Sequence, residues 1–183
     1  MSKNNLNIID SFKKSIESTV KAIARDTNIS LIFGQKASPE KYNINLSDIS
    51  EKTYYSDKSI VRGESDSASL IKRFHNTEIH KAMKPDNVGS EKIFNKIEFL
   101  RCELIGSAQL PGVKKNLLKI DQLNIKNALN KNENISKDDT FKLILKSYIL
   151  NESLPEELFT ISDPIIKPLT KVLNKKKVNF QKY

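Results

Sequence analysis

Apolar residues recur every three or four positions along most of this chain, and this period constrains its fold more than any other feature. The first such face consists of Ile9, Phe12, Ile16, Val20 and Ile23. The clearest one consists of Ile93, Phe94, Ile97, Leu100 and Leu104. An α-helix turns once in 3.6 residues, so each set lies along one side of a helix and buries against a core. The pattern therefore predicts a mostly helical protein.

The same reasoning predicts where the helices begin and end. Ser47 or Asp48 is expected to cap helical segments that continue to about Pro85 and bend near Asn76. Ser90 is expected to cap the clearest helix, and Gly106 to end it. Further helices are expected over 111–129, with Val113, Leu117 and Ile120 in register, and over 141–150. A last one, over 163–173, is interrupted by Pro168.

Two short segments alternate instead of following the helical period. Their alternating residues are Ile29, Leu31 and Phe33 in the first, and Tyr42, Ile44 and Leu46 in the second. Gly34 and Pro39 lie between them, so the pattern predicts a two-stranded antiparallel hairpin over about 29–46. A lone hairpin is marginally stable, so it should lie on a helix. The expected fold is α+β and mostly helical: one bundle-like domain over 1–173, with this small hairpin, and a basic tail over 174–183.

Composition narrows the functional classes. The single cysteine, Cys102, excludes an intramolecular disulfide and a cysteine-built zinc site. No signal peptide or membrane-spanning run is present, so a soluble, cytoplasmic protein without membrane contact is expected. The net charge of +9 raises the question of nucleic acid. That class is disfavoured, because basic residues are spread along the chain without interleaved aromatic residues.

Familiar catalytic and nucleotide-binding motifs do not fit. The stretch "GSAQLPGVKKN" places Val113 where a phosphate-binding loop needs lysine. An adhesion-type metal motif read from Asp66 needs serine at its third and fifth positions, where this chain has Ala68 and Leu70. His75 and His80 are five residues apart, about 140° around a regular helix, which is a poor geometry for sharing one metal ion. A break near Asn76 would bring them closer. They remain candidate metal ligands, beside a structural or interface role.

One polar stripe stands out on the predicted helix over this region. Arg62, Asp66, Ser69 and Arg73 follow one another at spacings of four, three and four residues. Gly63 lies inside the same helix, where a close crossing of another backbone would explain it.

Arg101 falls within the apolar face of the later helix. A buried guanidinium requires a partner, so we expect it to pair with Glu98, Asp66 or Glu64. Two interpretations stay open for these charges: an ion-pair network that fixes helix packing, or a polar pocket or surface that docks a partner.

Taken together, several stretches resemble the N-terminal region of the CobT subunit of aerobic cobaltochelatase. They are "KAIARD" after Phe12, "LIFG", "VRGESDSASLIKRFHNTEIH", "KIFNKIEFLRCELIG" and "GVKKNL". The resemblance covers roughly residues 8 to 170. Positions that match the family pattern are Arg62, Gly63, Asp66, His75, His80, Glu98, Arg101, Glu103, Gly106, Gly112, Val113 and Asn116. The sequence departs from the pattern at Asn76, and also at Ser107 and Ala108. The resemblance covers the N-terminal module of the family and does not extend to its acidic linker or its C-terminal von Willebrand-type domain; a fragment, a split gene product and a family member reduced to this module all remain open.

This resemblance implies a place in the ATP-dependent insertion of cobalt into hydrogenobyrinic acid a,c-diamide during cobalamin biosynthesis. The implied partners are an AAA+ ATPase subunit of the CobS type and a large corrin-binding subunit of the CobN type. ATP, magnesium and cobalt are then used by the whole complex, a ligase that forms nitrogen–metal bonds, and this chain holds no cofactor or catalytic residue of its own. The polar network or docking site would comprise Arg62, Asp66, His75, His80, Glu98, Arg101 and Glu103.

Two other functions compete with this expectation. One is a stand-alone helical interaction module of an AAA+ system that is not tied to cobalamin. The other, less favoured, is a basic nucleic-acid-binding protein.

Overall fold

A computed structural model describes residues 3–35, 38–39, 43–51, 54–131, 133–153, 158 and 171. Its elements, in chain order, are α1 (Lys3–Ala24), β1 (Ser30–Phe33), β2 (Ser38–Pro39), β3 (Asn43–Leu46), α2 (Tyr54–Phe74), α3 (Thr77–Ala82), α4 (Val88–Gln109), α5 (Pro111–Asn130) and α6 (Lys137–Leu150). The predicted mostly helical α+β class is confirmed. The helix expected over 163–173 and the tail over 174–183 lie outside the described residues, apart from position 171.

Two compact units share the chain. The first unit consists of Met1–Met83 with Arg101–Ile120, and the second consists of Lys84–Leu100 with Asp121–Tyr183. The boundary that was expected between a domain over 1–173 and a tail over 174–183 lies outside the described residues and stays a prediction.

The core of the first unit is built on α1. Its predicted face is buried, and the strands and α2 pack against it. The buried members of this cluster are Phe12, Ile16, Val20, Ala24, Ile29, Ile44, Leu46, Ile49, Val61 and Ala68. Ile23 joins a second cluster with Leu70 of α2 and with Val113 and Leu117 of α5. The faces predicted for α1 and for the start of α5 are therefore correct.

The sheet differs from the predicted hairpin. β3 lies in the middle, where it pairs parallel with β1 and antiparallel with β2. The antiparallel pairing expected for the two alternating segments was wrong, because the connection between them is more than a turn. It contains β2, which returns along the sheet so that β3 runs in the same direction as β1. The chain leaves β1 through Gly34, whose φ of +90° suits glycine.

The alternation itself was read correctly in β3. Ile44 and Leu46 are both fully buried, as expected for one face of a strand. Tyr42, the remaining residue of that pattern, lies outside the described residues.

Three helix ends differ from their predicted positions. The helix expected after Ser47 or Asp48 begins only at Tyr54. The side chain of Asn87, rather than Ser90, accepts hydrogen bonds from the first backbone N–H groups of α4, those of residues 89 and 90. That helix also continues past Gly106 to Gln109. Local capping signals were present at several neighbouring positions, so the sequence did not single out one of them.

Gly106 has a packing role instead of ending the helix. A Cβ atom at this position would lie 2.2 Å from a methyl carbon of Leu70, so α2 and α4 approach closely here. In the second unit, the predicted apolar face of α4 is only partly covered: Leu100 is buried, whereas Ile93 and Ile97 are each 39% exposed.

Gly63 marks an equally close approach between α2 and α5. A Cβ atom there would lie 2.5 Å from the Cβ of Ile120 and 3.1 Å from the carbonyl oxygen of Asn116. Both of these atoms belong to, or are attached directly to, the neighbouring backbone, so rotation of a side chain does not relieve the clash. The predicted reason for a glycine inside this helix is thus correct.

The second unit contains a buried ion pair that the sequence did not reveal. Lys146 of α6 is 2% exposed, and its ammonium nitrogen lies 2.6 Å from a carboxylate oxygen of Asp121 in α5. The apolar cluster of this unit includes Ile125, Ile144 and Leu158. Lysine is a residue type expected at the protein surface, and only tertiary packing buries this one.

We expect Gly63→Ala to lower the free energy of unfolding by about 1–3 kcal/mol, because the added methyl group overpacks the α2–α5 crossing. Ala gains about 1 kcal/mol in helix propensity, which reduces but does not reverse the loss. Gly112→Ala is the matched control, since nothing lies within 4 Å of a Cβ there. Urea unfolding of both variants measures the difference. Equal stability of Gly63→Ala and the native chain would contradict the close crossing.

We expect Asp121→Ala to lower the stability by about 3 kcal/mol, because it removes a carboxylate that lies beside the buried ammonium of Lys146. The double variant Asp121→Leu/Lys146→Met should recover most of this loss, since no charge then remains buried at the position. Thermal unfolding followed by circular dichroism compares the two. If the double variant were less stable than Asp121→Ala, the loss of stability could not be explained by an uncompensated buried charge.

Candidate functional site

The crossing of α2 and α5 places a carboxylate in the interior of the first unit. Asp66 follows Gly63 by about one turn, and Asn116 precedes Ile120 by about one turn, so the close approach brings their side chains together. The amide nitrogen of Asn116 donates a hydrogen bond of 2.8 Å to Asp66, which is 4% exposed. Burial raises the pKa of Asp66 from its ordinary value of 3.8 to about 6, although the Asn116 hydrogen bond and the charge of Arg62 act in the opposite direction.

A second buried carboxylate lies where α2 meets α4. Glu103 is 2% exposed and accepts a hydrogen bond of 2.8 Å from the hydroxyl of Ser67. Ser107, one turn further along α4, is 6% exposed, and its hydroxyl has no hydrogen-bond partner among the described residues. Two consecutive residues of α2, Asp66 and Ser67, therefore make polar contacts with α5 and α4 respectively.

Ser47, one of the two residues expected to cap a helix, is bound to Glu64 of α2 instead. The carboxylate of Glu64 accepts hydrogen bonds from the backbone N–H of Ser47, at 2.8 Å, and from the hydroxyl of Ser47, at 2.6 Å. This contact ties α2 to the segment that follows β3.

The arginines of this unit contact carbonyl oxygens and aromatic rings. Arg62 is exposed and lies over the ring of Phe12, with its guanidinium carbon 5.4 Å from the ring centre. Arg73 donates a hydrogen bond of 3.3 Å to the carbonyl of Ile23 and lies over the ring of Phe74. These contacts are modest in energy individually. The contacts with Phe12 and Ile23 connect the middle and the C-terminal end of α2 to α1.

Arg101 was expected to be buried in the apolar face of its helix, and this prediction was wrong. The side chain is exposed, and it donates a hydrogen bond of 2.8 Å to the carbonyl of Phe74, the last residue of α2. The final carbonyls of a helix lack partners within the helix, which makes them a favourable target for a guanidinium. Asp66 and Glu64, two of its expected partners, bond Asn116 and Ser47 as described above.

The predicted break near Asn76 is present and changes the relation between the two histidines. The side chain of Asn76 accepts hydrogen bonds from the N–H groups of residues 78 and 79, and thereby caps α3. His75 lies directly after α2, and His80 lies within α3. Their ring centres are 4.8 Å apart, with the ring planes inclined at 68°. The angle of 140° expected for a continuous helix therefore does not apply.

The seven residues proposed from the sequence fall into distinct environments. Asp66 and Glu103 are buried, Arg62 and Arg101 are exposed, and the two histidines are intermediate. These six belong to the first unit, whereas Glu98 belongs to the second. The structure thus separates positions that hold helices together from positions that a second molecule can reach.

The second unit carries a polar cavity of about 420 Å³ between α5 and α6 that sequence reasoning missed. Its charged lining residues are Asp121, Asp139 and Lys142. Burial, the largest influence on Asp139, raises its pKa. The hydrogen bonds from Lys96 and Ser136, together with the charges of Lys96 and Lys142, outweigh burial, so the pKa is lowered overall. The loop residues that complete the cavity carry no sequence pattern that would have indicated it.

The described residues include no group of three or more His, Cys, Asp or Glu side chains that could hold a metal ion. Across those same residues, no helix is long and apolar enough to cross a membrane.

Comparison with protein families decides the classification. The model of the family described as "Cobalamin biosynthesis protein CobT" matches residues 7–163 of the 183. This chain belongs to the CobT family. Membership implies a role in cobalamin biosynthesis, and the matched span contains all seven of the proposed CobT site residues. No solved structure matches the chain.

The raised pKa of Asp66 predicts a specific dependence of stability on pH. Below about pH 4 the carboxyl is protonated in both the folded and the unfolded state, so its burial carries no charge penalty. Stability is then lost as the pH rises through about 6, where the folded state must ionise a buried group. Asp66→Asn is always neutral and can still accept from Asn116. It should therefore match the native chain near pH 4 and exceed it by about 2–3 kcal/mol at pH 8.

Urea unfolding at a series of pH values tests this expectation. Asp10→Asn serves as the control, because it removes the same charge from an exposed position of α1 and should change the stability by less than about 0.5 kcal/mol. A difference between Asp66→Asn and the native chain that does not grow with pH would refute the proposed burial penalty.

Proposed function

We propose that this chain is a non-catalytic subunit of an ATP-dependent cobaltochelatase, which inserts cobalt into hydrogenobyrinic acid a,c-diamide. In this proposal it docks onto an AAA+ ATPase subunit, which hydrolyses ATP, and a large subunit binds the corrin ring. The observation that supports the proposal is the CobT family match over residues 7–163. Magnesium, ATP and cobalt are then handled by the complex, and cobalt is its substrate.

The chemistry of the buried carboxylates is consistent with a docking role. Asp66 and Glu103 each hold a neutral side chain of a neighbouring helix, Asn116 and Ser67 respectively. Groups used in this way position the helices relative to one another. They give α2 and its neighbours a fixed geometry, on which an interaction surface can be presented at little entropic cost.

The surface we assign to docking is the α3 surface, defined as Ile79, Met83 and Arg101. Ile79 and Met83 are 58% and 67% exposed, and they lie one helical turn apart, so both apolar side chains are on the same side of α3 and its C-terminal end. Arg101 is exposed and lies beside Phe74, the last residue of α2. His75 and the α3 cap, Asn76, follow Phe74 in the chain. Methionine and arginine are enriched in protein interfaces, where apolar contacts supply affinity and charge supplies orientation. An ATPase surface with apolar and acidic side chains would complement this one.

The docking proposal predicts that Ile79→Asp/Met83→Asp weakens association with the cognate AAA+ subunit by at least about 10-fold, because two charges replace apolar contacts. Association is measured by pull-down and by biolayer interferometry, with and without ATP. Ile149→Asp is the matched control, since Ile149 is similarly exposed, at 51%, but belongs to the second unit. Arg101→Ala should weaken association to a smaller extent.

Failure of the native chain to associate in either nucleotide state would exclude the docking role. If the chain associates but the rate of cobalt insertion is the same with and without it, the result would instead favour the helical interaction module that is not tied to cobalamin.

A further inference from the structure

The junction between α2 and α3 holds two imidazoles in a fixed relation. His75 donates its backbone N–H to Ile71 and so continues the hydrogen bonding of α2, and His80 donates its backbone N–H to Asn76. The side chain of Asn76 in turn caps α3. Arg101 closes the end of α2 through the carbonyl of Phe74. Each histidine is therefore attached to backbone that is hydrogen-bonded on both sides of the break, which limits the positions available to its ring.

The separation of the rings suits a shared metal ion. Imidazole nitrogens bind zinc-like ions at about 2.0–2.1 Å, which places each ring centre roughly 3.2 Å from the ion. Two ring centres separated by the observed 4.8 Å then subtend an angle of about 97° at the ion, which lies between square-planar and tetrahedral values. The planes are inclined at 68°, so the rings are not stacked face to face.

We propose that His75 and His80 form a binding site for one divalent first-row transition-metal ion. Imidazole is a ligand of intermediate softness, which suits Zn²⁺, Cu²⁺, Ni²⁺ and Co²⁺, whereas Mg²⁺ and Ca²⁺ prefer oxygen ligands. Each ring has two nitrogens, so an ion bound to one nitrogen leaves the other for the contacts of the ring with the protein, as is usual for metal-binding histidines.

The site has two protein ligands and an open remainder. No third His, Cys, Asp or Glu joins the pair within the described part of the chain. The remaining coordination positions are therefore filled by water, or by a group of a second molecule that approaches the junction. Such a site binds more weakly and exchanges its ion more readily than a closed four-ligand structural site. This inference does not depend on the docking proposal, because it concerns the free chain.

The competing explanation is that the edge-to-face contact of the rings only stabilises the junction. The two explanations predict different behaviour in a metal titration. We would titrate the tag-free 183-residue chain with Co²⁺, followed by visible absorption, and with Zn²⁺ and Mg²⁺, followed by calorimetry. The metal site predicts one ion per chain for Co²⁺ and Zn²⁺, and no saturable binding of Mg²⁺.

Substitution locates the ion. His75→Gln and His80→Gln should each weaken Zn²⁺ binding at least about 10-fold, because each removes one of two ligands. Cys102→Ser is the control: it removes the chain's only thiol, which is buried, and should leave the affinity unchanged. Absence of binding to the native chain at millimolar Zn²⁺ would overturn the proposal, as would equal affinity in the glutamine variants.

A second measurement avoids the risk that a histidine variant fails to fold. The chain has only two histidines, so its NMR spectrum contains imidazole proton signals from these two rings alone. One equivalent of Zn²⁺ should shift the signals of both rings together. Signals that stay in place, or a shift of one ring alone, would overturn the shared site.

Discussion

The close crossing of α2 and α5 at Gly63 is the constraint on which the rest of the first unit depends. Because no Cβ fits between the two backbones, the helices approach until Asn116 can reach Asp66 in the interior. The same helix meets α1 and the sheet on its other sides, through the buried Val61 and Ala68. A larger residue at position 63 would separate the helices, and the buried carboxylate would then lose the amide that makes its burial tolerable.

The charged residues of this unit lie in two environments, because some carboxylates are buried whereas the arginines Arg62 and Arg101 are exposed. The two interior carboxylates, Asp66 and Glu103, accept hydrogen bonds from the neutral side chains of Asn116 and Ser67. Arg62 and Arg101 stay at the surface and lie against a ring and a helix-terminal carbonyl. Buried carboxylates therefore join neighbouring helices, while these two arginines lie at the surface. The second unit differs, because it buries the ammonium of Lys146 beside Asp121.

Much of the fold followed from periodicity. The faces of α1 and of the start of α5, the small β content and the break near Asn76 were all predicted correctly. The sheet topology was not, because β2 is only two residues long and has no alternation of its own. Of the site, the role of Gly63 at a close helix crossing was predicted correctly. The partners were not: Asn116 lies 50 residues after Asp66, and Ser67 lies 36 residues before Glu103. Sequence spacing carries no information about contacts of that kind.

The sequence by itself determined the helical class, the glycine at the crossing and the membership of the CobT family, because each is written in local spacing and in the order of short motifs. Only the tertiary structure decided that Arg101 caps the end of α2 and that the histidines meet across a capped break. It also decided that Lys146 is buried. The physical reason is the same in all three cases. A side chain's partner and exposure depend on which distant segments pack beside it, and a helical wheel shows only its own helix.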